Sequence, residues 1–344
     1  MFWRWSKRVV LLMLIGVIGL LSPVAYTETM CRAPVVADTY ASILPSFAHR
    51  AESRTLLTYP EWHIVHAYDD YAEIIRTENP ADFGYLQSIG GFWSSLCSLS
   101  KVAGDHGGVD WSTKQMVYTI GISFTAELLL KAGYEETLGR LATWIRGDTR
   151  TPLDDLSAKQ ASDYATFLQQ VPWYRWDFRG DKAALRMAAS PVFRDHERAF
   201  ALGVEYSVKA AYAGIIGAAV AGMDPDALTM RVIVSGMPEA DLARIEGVKV
   251  IATRAEGIEI ETPRYRAFTD LAKILAAKGA EFIEIAGNDD IMFTAISGQP
   301  DMPGALHSFA RQGNPGYRHL VLVKVGDLAE ILRRGEAVEH IHDY

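Results

Sequence analysis

Two histidines and an aspartate are spaced so that a helix would carry them on one face. At 100° per residue, His63, His66 and Asp70 fall within an arc of roughly 60°. Imidazole nitrogens and carboxylate oxygens are ligands for zinc and for iron, and His106, in a glycine-rich segment, could provide a further ligand. One interpretation of this pattern is a site for a divalent transition-metal ion that serves as the cofactor of an enzyme.

The same spacing also has a simpler interpretation. The two histidines are three residues apart, whereas zincin enzymes have them four apart with a glutamate between them. A polar stripe is also typical of the solvated face of an amphipathic helix, and we expect such a face here rather than a metal site. The opposite face of this predicted helix is apolar and carries Ile64, Val65, Tyr68, Tyr71, Ala72 and Ile75.

Glu127 is the other candidate catalytic residue. It is the one acidic residue within the apolar stretch 120–130, and a carboxyl group in such surroundings can act as a general acid or base. Lys131 follows one helical turn later, and an acid and a base at that spacing form an ion pair. We therefore expect Glu127 to pair with Lys131.

Two further segments offer polar groups. Residues 287–290, Gly-Asn-Asp-Asp, form a predicted turn whose two acids could hold a cation, although these residue types also favour turns for backbone reasons alone. Residues 340–342, His-Ile-His, are expected in a mobile, solvated tail. The sequence contains no Walker loop, dinucleotide-binding glycine triplet or Gly-x-Ser-x-Gly motif. Most nucleotide and flavin chemistry therefore lacks its usual signature.

The candidate residues before residue 224 belong to a predicted helical region. Thr58 with Glu61 forms a capping box, and Ser112 with Gln115 forms another. Short connections between the segments favour an all-α antiparallel bundle over residues 58–223. The five predicted helices span residues 59–77, 80–103, 113–146, 152–171 and 191–223.

Short β-branched runs after residue 224 indicate a change of architecture. Strands mixed with helices on this scale predict a small α+β domain over residues 224–344, for which a ferredoxin-like arrangement is one candidate. The predicted strands span residues 229–235, 248–253, 257–261, 281–285, 291–296 and 319–325, and the predicted helices span 239–245, 265–278 and 327–334.

The amino-terminal residues have the pattern of a membrane segment. A basic tip, residues 1–8, precedes the uncharged residues 9–27, which as a helix would be about 28 Å long, close to the thickness of bilayer hydrocarbon. The positive-inside rule places the tip in the cytoplasm and the rest of the chain outside. A cleaved signal peptide has the same basic start, but the small-x-small cleavage site is poorly formed. We therefore expect an uncleaved anchor followed by a linker over residues 28–57.

Residues 210–223 are also uncharged and could form a second membrane contact. These 14 residues are too few to span, and a longer segment would include Glu205 and Lys209, whose i,i+4 order suits a soluble helix. We therefore expect a buried helix of the bundle. The aromatic stretch 171–179 is expected to be a loop, either at a membrane interface or covering the end of the bundle.

Cysteine content and charge limit the class of protein. Cys97 lies in an apolar helical pattern, so we expect a buried free thiol there rather than a disulfide with Cys31. The formal net charge is −8, and three of the basic residues lie in the amino-terminal tip, so the remainder is more acidic still. No nucleic-acid partner is expected for such a chain.

Together, these patterns predict a single-pass inner-membrane protein of a Gram-negative-type envelope, with most of its chain in the periplasm. The anchor and the acidic domains without a catalytic motif favour a non-catalytic accessory protein that interacts with the membrane and with an envelope protein partner. One alternative is a metal-dependent periplasmic enzyme that uses His63, His66 and Asp70. The other is a small-molecule sensor that acts through the α+β domain.

Overall fold

The computed structural model describes residues 2–147, 149–220, 228–335 and 337–343, in which a helical region precedes two small antiparallel sheets. A π-helical turn, Glu135–Gly139, connects the fourth helix to the fifth. The predicted domain boundary at residue 224 and residues 221–223 of the last predicted helix lie outside the described residues. The helices of this region are α1 (Phe2–Met30), α2 (Glu52–Thr77), α3 (Tyr85–Val102), α4 (Trp111–Tyr134), α5 (Arg140–Arg146), α6 (Pro152–Leu168), α7 (Phe178–Ala188) and α8 (Phe193–Val220).

Two helices begin earlier than the sequence predicted. α2 begins at Glu52, so the predicted capping box at Thr58 is wrong, and the Thr58 hydroxyl donates to a carbonyl one turn earlier in the helix (3.2 Å). α4 is capped by Asp110, whose carboxylate accepts a hydrogen bond from the backbone N–H of Thr113 (2.9 Å). The predicted capping box at Ser112 is therefore wrong: Ser112 lies in the first turn of α4, where its hydroxyl donates to the carboxylate of Asp110.

The predicted loop 171–179 and linker 28–57 both contain ordered structure. α7 begins within the former, at Phe178. The ends of the linker belong to α1 and α2, and its middle is bound to the α+β region through the buried carboxylate of Glu284, which accepts hydrogen bonds from the backbone N–H groups of Ile43 (2.6 Å) and Leu44 (2.9 Å). The linker therefore ties the two regions together.

The first sheet has the strand order β2-β3-β1-β4, with every pairing antiparallel. The predicted strands at residues 229–235 and 281–285 are confirmed at both ends. Its strands are β1 (Thr229–Ser235), β2 (Lys249–Thr253), β3 (Ile258–Pro263) and β4 (Glu281–Ile285), with α9 (Glu239–Leu242) between β1 and β2 along the chain and α10 (Arg266–Ala277) between β3 and β4.

The second sheet has the order β6-β7-β5-β8 and is also antiparallel. The predicted mobile tail at residues 340–342 is wrong, because these residues lie in β8, where His340 and His342 are each 2% exposed. β8 pairs with the distant β5, so nothing local in the sequence marks it as a strand. The strands are β5 (Asp290–Ser297), β6 (Ala305–Ala310), β7 (Tyr317–Lys324) and β8 (Val338–His342), and α11 (Val325–Arg333) precedes β8.

Helices cover both faces of the second sheet. One core is shared by α10, α11 and apolar residues of both sheets, including Val232, Phe268 and Phe293. On the other face, Leu320 of β7 packs with Leu56 of α2, in a cluster that also includes residues of α3. The second sheet is therefore the layer that joins the α+β region to the helical region.

The two cysteines form a disulfide, which corrects the predicted free thiol at Cys97. The Cα atoms of Cys31 and Cys97 are 5.0 Å apart. The apolar pattern correctly places Cys97 on a helix, but it carries no information about the end of α1, which packs on α3 at this point. The bond fixes the carboxyl end of α1 to the helical region.

Replacing both cysteines by alanine is expected to lower the free energy of unfolding by about 2–4 kcal/mol. The bond closes a long loop, with a sequence separation of 66, and such bonds restrict the unfolded chain. Denaturant unfolding of the full chain in detergent measures the difference. A reducing agent should cause the same loss in the wild-type protein and none in the double variant, whereas equal stability of the two proteins would contradict the prediction.

Candidate functional site

A cluster of buried polar residues lies between α2 and the second sheet, at a position where the core of a protein usually has apolar contacts. Its members come from one helix and two strands that are distant in sequence, and most of them are less than 9% exposed. We call this group the polar seam. It consists of Tyr59, His66, Asp70, Arg318, Glu339, His340 and His342.

Arg318 joins the strands of the seam to the helix. Its guanidinium is fully buried, and it donates to Asp70 on α2 (2.8 Å) and to Glu339 on β8 (2.9 Å). Burial alone lowers the pKa of Arg318, but the two carboxylates reverse this and raise the pKa overall. The backbone N–H of Gln312 also donates to Asp70 (3.0 Å), so this aspartate is fully engaged in holding α2 against the sheet.

Three imidazoles gather beside this ion pair. The ring of Trp62 stacks on His340 with centroids 3.5 Å apart, and His340 meets His342 edge to face at 4.8 Å. The Nε2 atom of His66 lies 3.8 Å from an oxygen of Glu339. Burial lowers the pKa of all three histidines, and lowers that of His342 to about 3. The imidazoles are therefore neutral at physiological pH.

Several polar atoms of the seam make no hydrogen bond within the described part of the chain. Tyr59 Oη, His66 Nε2, His340 Nε2 and His342 Nδ1 are all in this state although they are shielded from solvent. Buried polar atoms without partners are uncommon in folded proteins. The seam therefore keeps hydrogen-bonding capacity that its own residues do not use.

The structure does not bring the four predicted metal ligands together. Asp70 pairs with Arg318, and His66 faces Glu339. The Nε2 atom of His63 contacts the backbone carbonyl of Ser88 on α3 at 2.9 Å, and burial lowers the pKa of His63 to about 4. The fourth, His106, lies elsewhere, at the amino end of α2. The predicted solvated face is wrong as well, since α3 and the second sheet cover it.

His106 instead meets two acidic residues that the metal prediction did not include. One ligand atom from each of Glu52, His106 and Asp290 can be chosen so that all three lie within 4.8 Å of one another, and His106 Nδ1 is 3.1 Å from a Glu52 oxygen. Asp290 belongs to the turn that the sequence marked as able to hold a cation. Glu52 carried no such signal, because it falls in the predicted linker.

Glu127 forms an ion pair, but not with the predicted partner. It pairs with Lys209 on α8 (2.8 Å) and accepts a hydrogen bond from Tyr68 (2.7 Å), while Lys131 pairs with Glu205 (3.2 Å). The prediction considered only neighbours along one helix, whereas the partners of Glu127 and Lys131 lie on α8. Two charged pairs therefore cross between these helices.

The outward face of α8 is apolar over most of its length. The first two of its exposed residues are seven positions apart and the others follow at steps of three or four, so all lie on one helical face, which extends over about 33 Å. Side chains of this size do not commonly face water as a continuous row. The row, which we call the α8 face, consists of Phe193, Phe200, Val204, Val208, Tyr212 and Ile215.

Exposed apolar residues on α4 and α5 lie beside the α8 face. The ion pairs from Glu127 to Lys209 and from Lys131 to Glu205 show that α4 and α8 run antiparallel. At 100° per residue, the exposed residues of α4 and of α8 lie roughly 110° around each helix from the residues that form the ion pairs. Because the two helices run antiparallel, both exposed rows face the same side of the helix pair. The residues are Leu129 and Leu130 on α4, Leu138 in the π-helical turn, and Leu141, Trp144 and Ile145 on α5.

α1 is the one helix among the described residues that is long and apolar enough to cross a membrane. Its window Met13–Met30 has a mean hydropathy of 1.4 and is 6% buried, properties that a signal sequence would share. The end of the helix is bound to α4, where Glu28 accepts hydrogen bonds from Lys114 (3.0 Å) and Tyr118 (2.5 Å). The carboxyl end of α1 is therefore held against α4, while apolar side chains nearer its amino end are exposed.

No protein-family model, characterised protein or solved structure matches this chain. The function must therefore be argued from the arrangement of its own residues.

Proposed function

We propose that this chain is a membrane-anchored envelope accessory protein whose helical region rests on the outer surface of the inner membrane. The observation that carries the proposal is the α8 face, a row of large apolar side chains on an anchored domain. The bilayer is the occupant that we assign to this face. The α+β region would then be the part that reaches an envelope protein partner.

The distribution of charge supports lipid as the occupant. Glu205 and Lys209 of α8 turn inward to pair with α4, while Val204 and Val208 beside them turn outward. A helix in water shows the reverse arrangement. An amphipathic helix in the plane of a membrane buries its apolar face about 5–10 Å into the boundary between headgroups and acyl chains.

The position of α1 supports the same occupant. α1 is fixed to α4 through Glu28 and to α3 by the disulfide, so the anchor is held directly against α4. α2 contacts α4 and also packs against the second sheet, so the sheets lie on the side of the helical region away from α4. The membrane and the α+β region would therefore occupy opposite sides.

The disulfide supports an extracytoplasmic location and an uncleaved anchor. Disulfides persist in the periplasm and are rare in the cytosol. Residues 35–37, Val-Val-Ala, are of types that a cleavage site accepts, but they lie beyond Cys31, so cleavage there would remove one half of the bond and the buried Thr27 as well. A cleaved signal would discard contacts that the fold uses.

The first sheet supports a ferredoxin-like assignment for residues 229–285. Its elements follow the order strand, helix, two strands, helix, strand, and read from the β4 edge the strand order is 4-1-3-2 with antiparallel neighbours. This order belongs to the split β-α-β class that the sequence suggested. The enzyme alternative loses support, because Asp70 and Glu127 are engaged in ion pairs.

Fluorescent labelling of the α8 face tests the proposed membrane contact. Because both cysteines are in the disulfide, Val204→Cys provides one site for an environment-sensitive dye, and Lys278→Cys on the exposed end of α10 provides the control. In liposomes containing the full chain, a quencher attached to the lipid acyl chain should quench the dye at residue 204 strongly and the dye at 278 weakly. Quenching at 204 by iodide in solution, with none from lipid, would show that membrane contact is absent.

The accessory role has a separate test. Gentle solubilisation from the native membrane followed by native mass spectrometry should release the chain together with a second protein. Recovery of a lone monomer in every detergent would contradict the accessory role, while leaving the membrane contact to be decided by the labelling result.

A further inference from the structure

We propose that Glu52, His106 and Asp290 form a binding site for a divalent transition-metal ion, for which Zn²⁺ is the representative probe. The three residues come from the first turn of α2, the 3-10 turn Ala103–His106 after α3, and the first position of β5. This site is independent of the membrane contact. It would be the metal site of the protein, in place of the one that His63, His66 and Asp70 suggested.

The spacing of the donor atoms suits the ion. Bonds of about 2.0–2.2 Å place neighbouring ligand atoms of a tetrahedral zinc site about 3.4 Å apart. The contact between Glu52 Oε2 and His106 Nδ1 is 3.1 Å, and the three donors lie within 4.8 Å of one another. A bound ion would draw the Asp290 carboxylate closer to the other two donors.

The state of Glu52 is the second observation that favours a cation. The residue is 4% exposed, and its Oε1 atom makes no hydrogen bond within the described part of the chain. A buried carboxylate oxygen without a partner is costly, and a metal ion would compensate for that cost directly.

The groups around the site are compatible with a bound cation. Asp289 adds a further negative charge, and Lys324 contacts both Asp289 (2.9 Å) and Asp290 (2.8 Å). The side chain of Lys324 is 60% exposed, so it can move into solvent when Asp290 turns toward a metal. Two carboxylates and one imidazole are a borderline donor set that favours zinc and its neighbours over calcium.

A metal at this point would fasten the helical region to the α+β region. Glu52 and His106 belong to the former, and Asp290 begins the strand at the centre of the second sheet. Three protein ligands leave one tetrahedral position for water or for an external ligand. The bound ion would therefore stabilise the junction between the two regions.

The test is zinc binding by the full-length protein in detergent, with any affinity tag removed. After chelation and dialysis, the wild-type chain should bind one Zn²⁺, and competition with a chelating dye should show affinity weakened by at least about tenfold in Glu52→Gln and His106→Ala. Zn²⁺ should also raise the melting temperature of the wild-type protein, while Ca²⁺ at the same concentration should not. The matched controls, Glu246→Gln and His196→Ala, change exposed residues and should bind as the wild type does.

Two results would overturn the proposal. The first is a wild-type chain that binds less than one Zn²⁺. The second is zinc affinity in Glu52→Gln and His106→Ala equal to that of the controls. If removal of the buried Glu52 prevents folding, Asp290→Asn at the partly exposed turn replaces it, and circular dichroism of the metal-free protein checks the fold.

Discussion

Lowering the pH from 7 to 5 is expected to reduce the free energy of unfolding by about 8 kcal/mol, roughly 1 kcal/mol per pH unit for each of four buried histidines. His63, His66, His340 and His342 are buried as neutral imidazoles, with burial lowering the pKa of each, to about 4 for His63 and about 3 for His342. In the unfolded chain they take up protons near pH 6.5, so the unfolded state binds more protons between that pH and the lowered values. Stability is therefore complete above pH 6.5 and falls as the pH decreases.

The charged neighbours of these imidazoles have opposing effects on the pKa values of the histidines. Arg318 lowers the pKa of His66 further, after the larger effect of burial, whereas Glu339 at 3.8 Å favours its protonation. The buried Asp343, whose pKa burial raises, has the opposite sign and stabilises the fold at lower pH. This effect begins at the raised folded pKa and is complete below the unfolded value of 3.8, so it offsets part of the loss from the histidines.

Denaturant unfolding at a series of pH values measures the effect. His66→Gln should reduce the slope of stability against pH by roughly 1 kcal/mol per pH unit, because one proton-binding difference is removed. His196→Gln, a change at an exposed histidine, should leave the slope as it is. Stability that is constant from pH 7 to pH 5 would contradict the buried imidazole cluster.

Replacing Arg318 by methionine is expected to cost about 3–5 kcal/mol of unfolding free energy. The substitution leaves Asp70 and Glu339 without their buried cation, and removing one partner of a buried ion pair has effects of this size. Because these contacts join α2 to β7 and β8, hydrogen exchange should increase along the junction as well as in the strands. Thermal and denaturant unfolding measure the loss.

An exposed arginine provides the control for this substitution. Arg334 pairs with Glu330 one turn away and is 62% exposed, so Arg334→Met should cost less than about 1 kcal/mol. The double variant Arg318→Met with Asp70→Asn should lose less than the sum of the two single variants, since it leaves one fewer buried charge. A cost below 1 kcal/mol for Arg318→Met would show that the pair does not hold the regions together.

Local patterns in the sequence identify elements but not the contacts between them. β1 and β4 are predicted at both ends, because alternating β-branched residues between turns are a local signal. His340 and His342 are misplaced, because the pairing of β8 with β5 joins segments about 50 residues apart. For the same reason, Lys131 is predicted to pair within its own helix and instead contacts Glu205 on α8.

The candidate metal site was likewise predictable only in part: two of its residues carry signals in the sequence, but the contacts between its members do not. The turn at Asp290 and the histidine at 106 both carry recognisable signals for a cation. Asp290 and His106 lie beside Glu52 only because α2 begins at that residue. The sequence did not predict this start, because the capping pattern at Thr58 indicated a later one. The exposure of the α8 face could not be predicted either, because sequence periodicity shows that a helix has an apolar face but not whether another helix covers that face.

Membrane-impermeant thiol labelling in spheroplasts of a Gram-negative host tests the proposed location and the proposed membrane contact together. It asks in one experiment whether the chain lies outside the inner membrane and whether the membrane covers the α8 face. We expect Lys278→Cys to be labelled in intact spheroplasts, and Val204→Cys to be labelled only after detergent dissolves the membrane. Equal labelling of both residues in intact spheroplasts would show an uncovered face, and protection of both until lysis would place the chain in the cytoplasm; either result would contradict the proposed function.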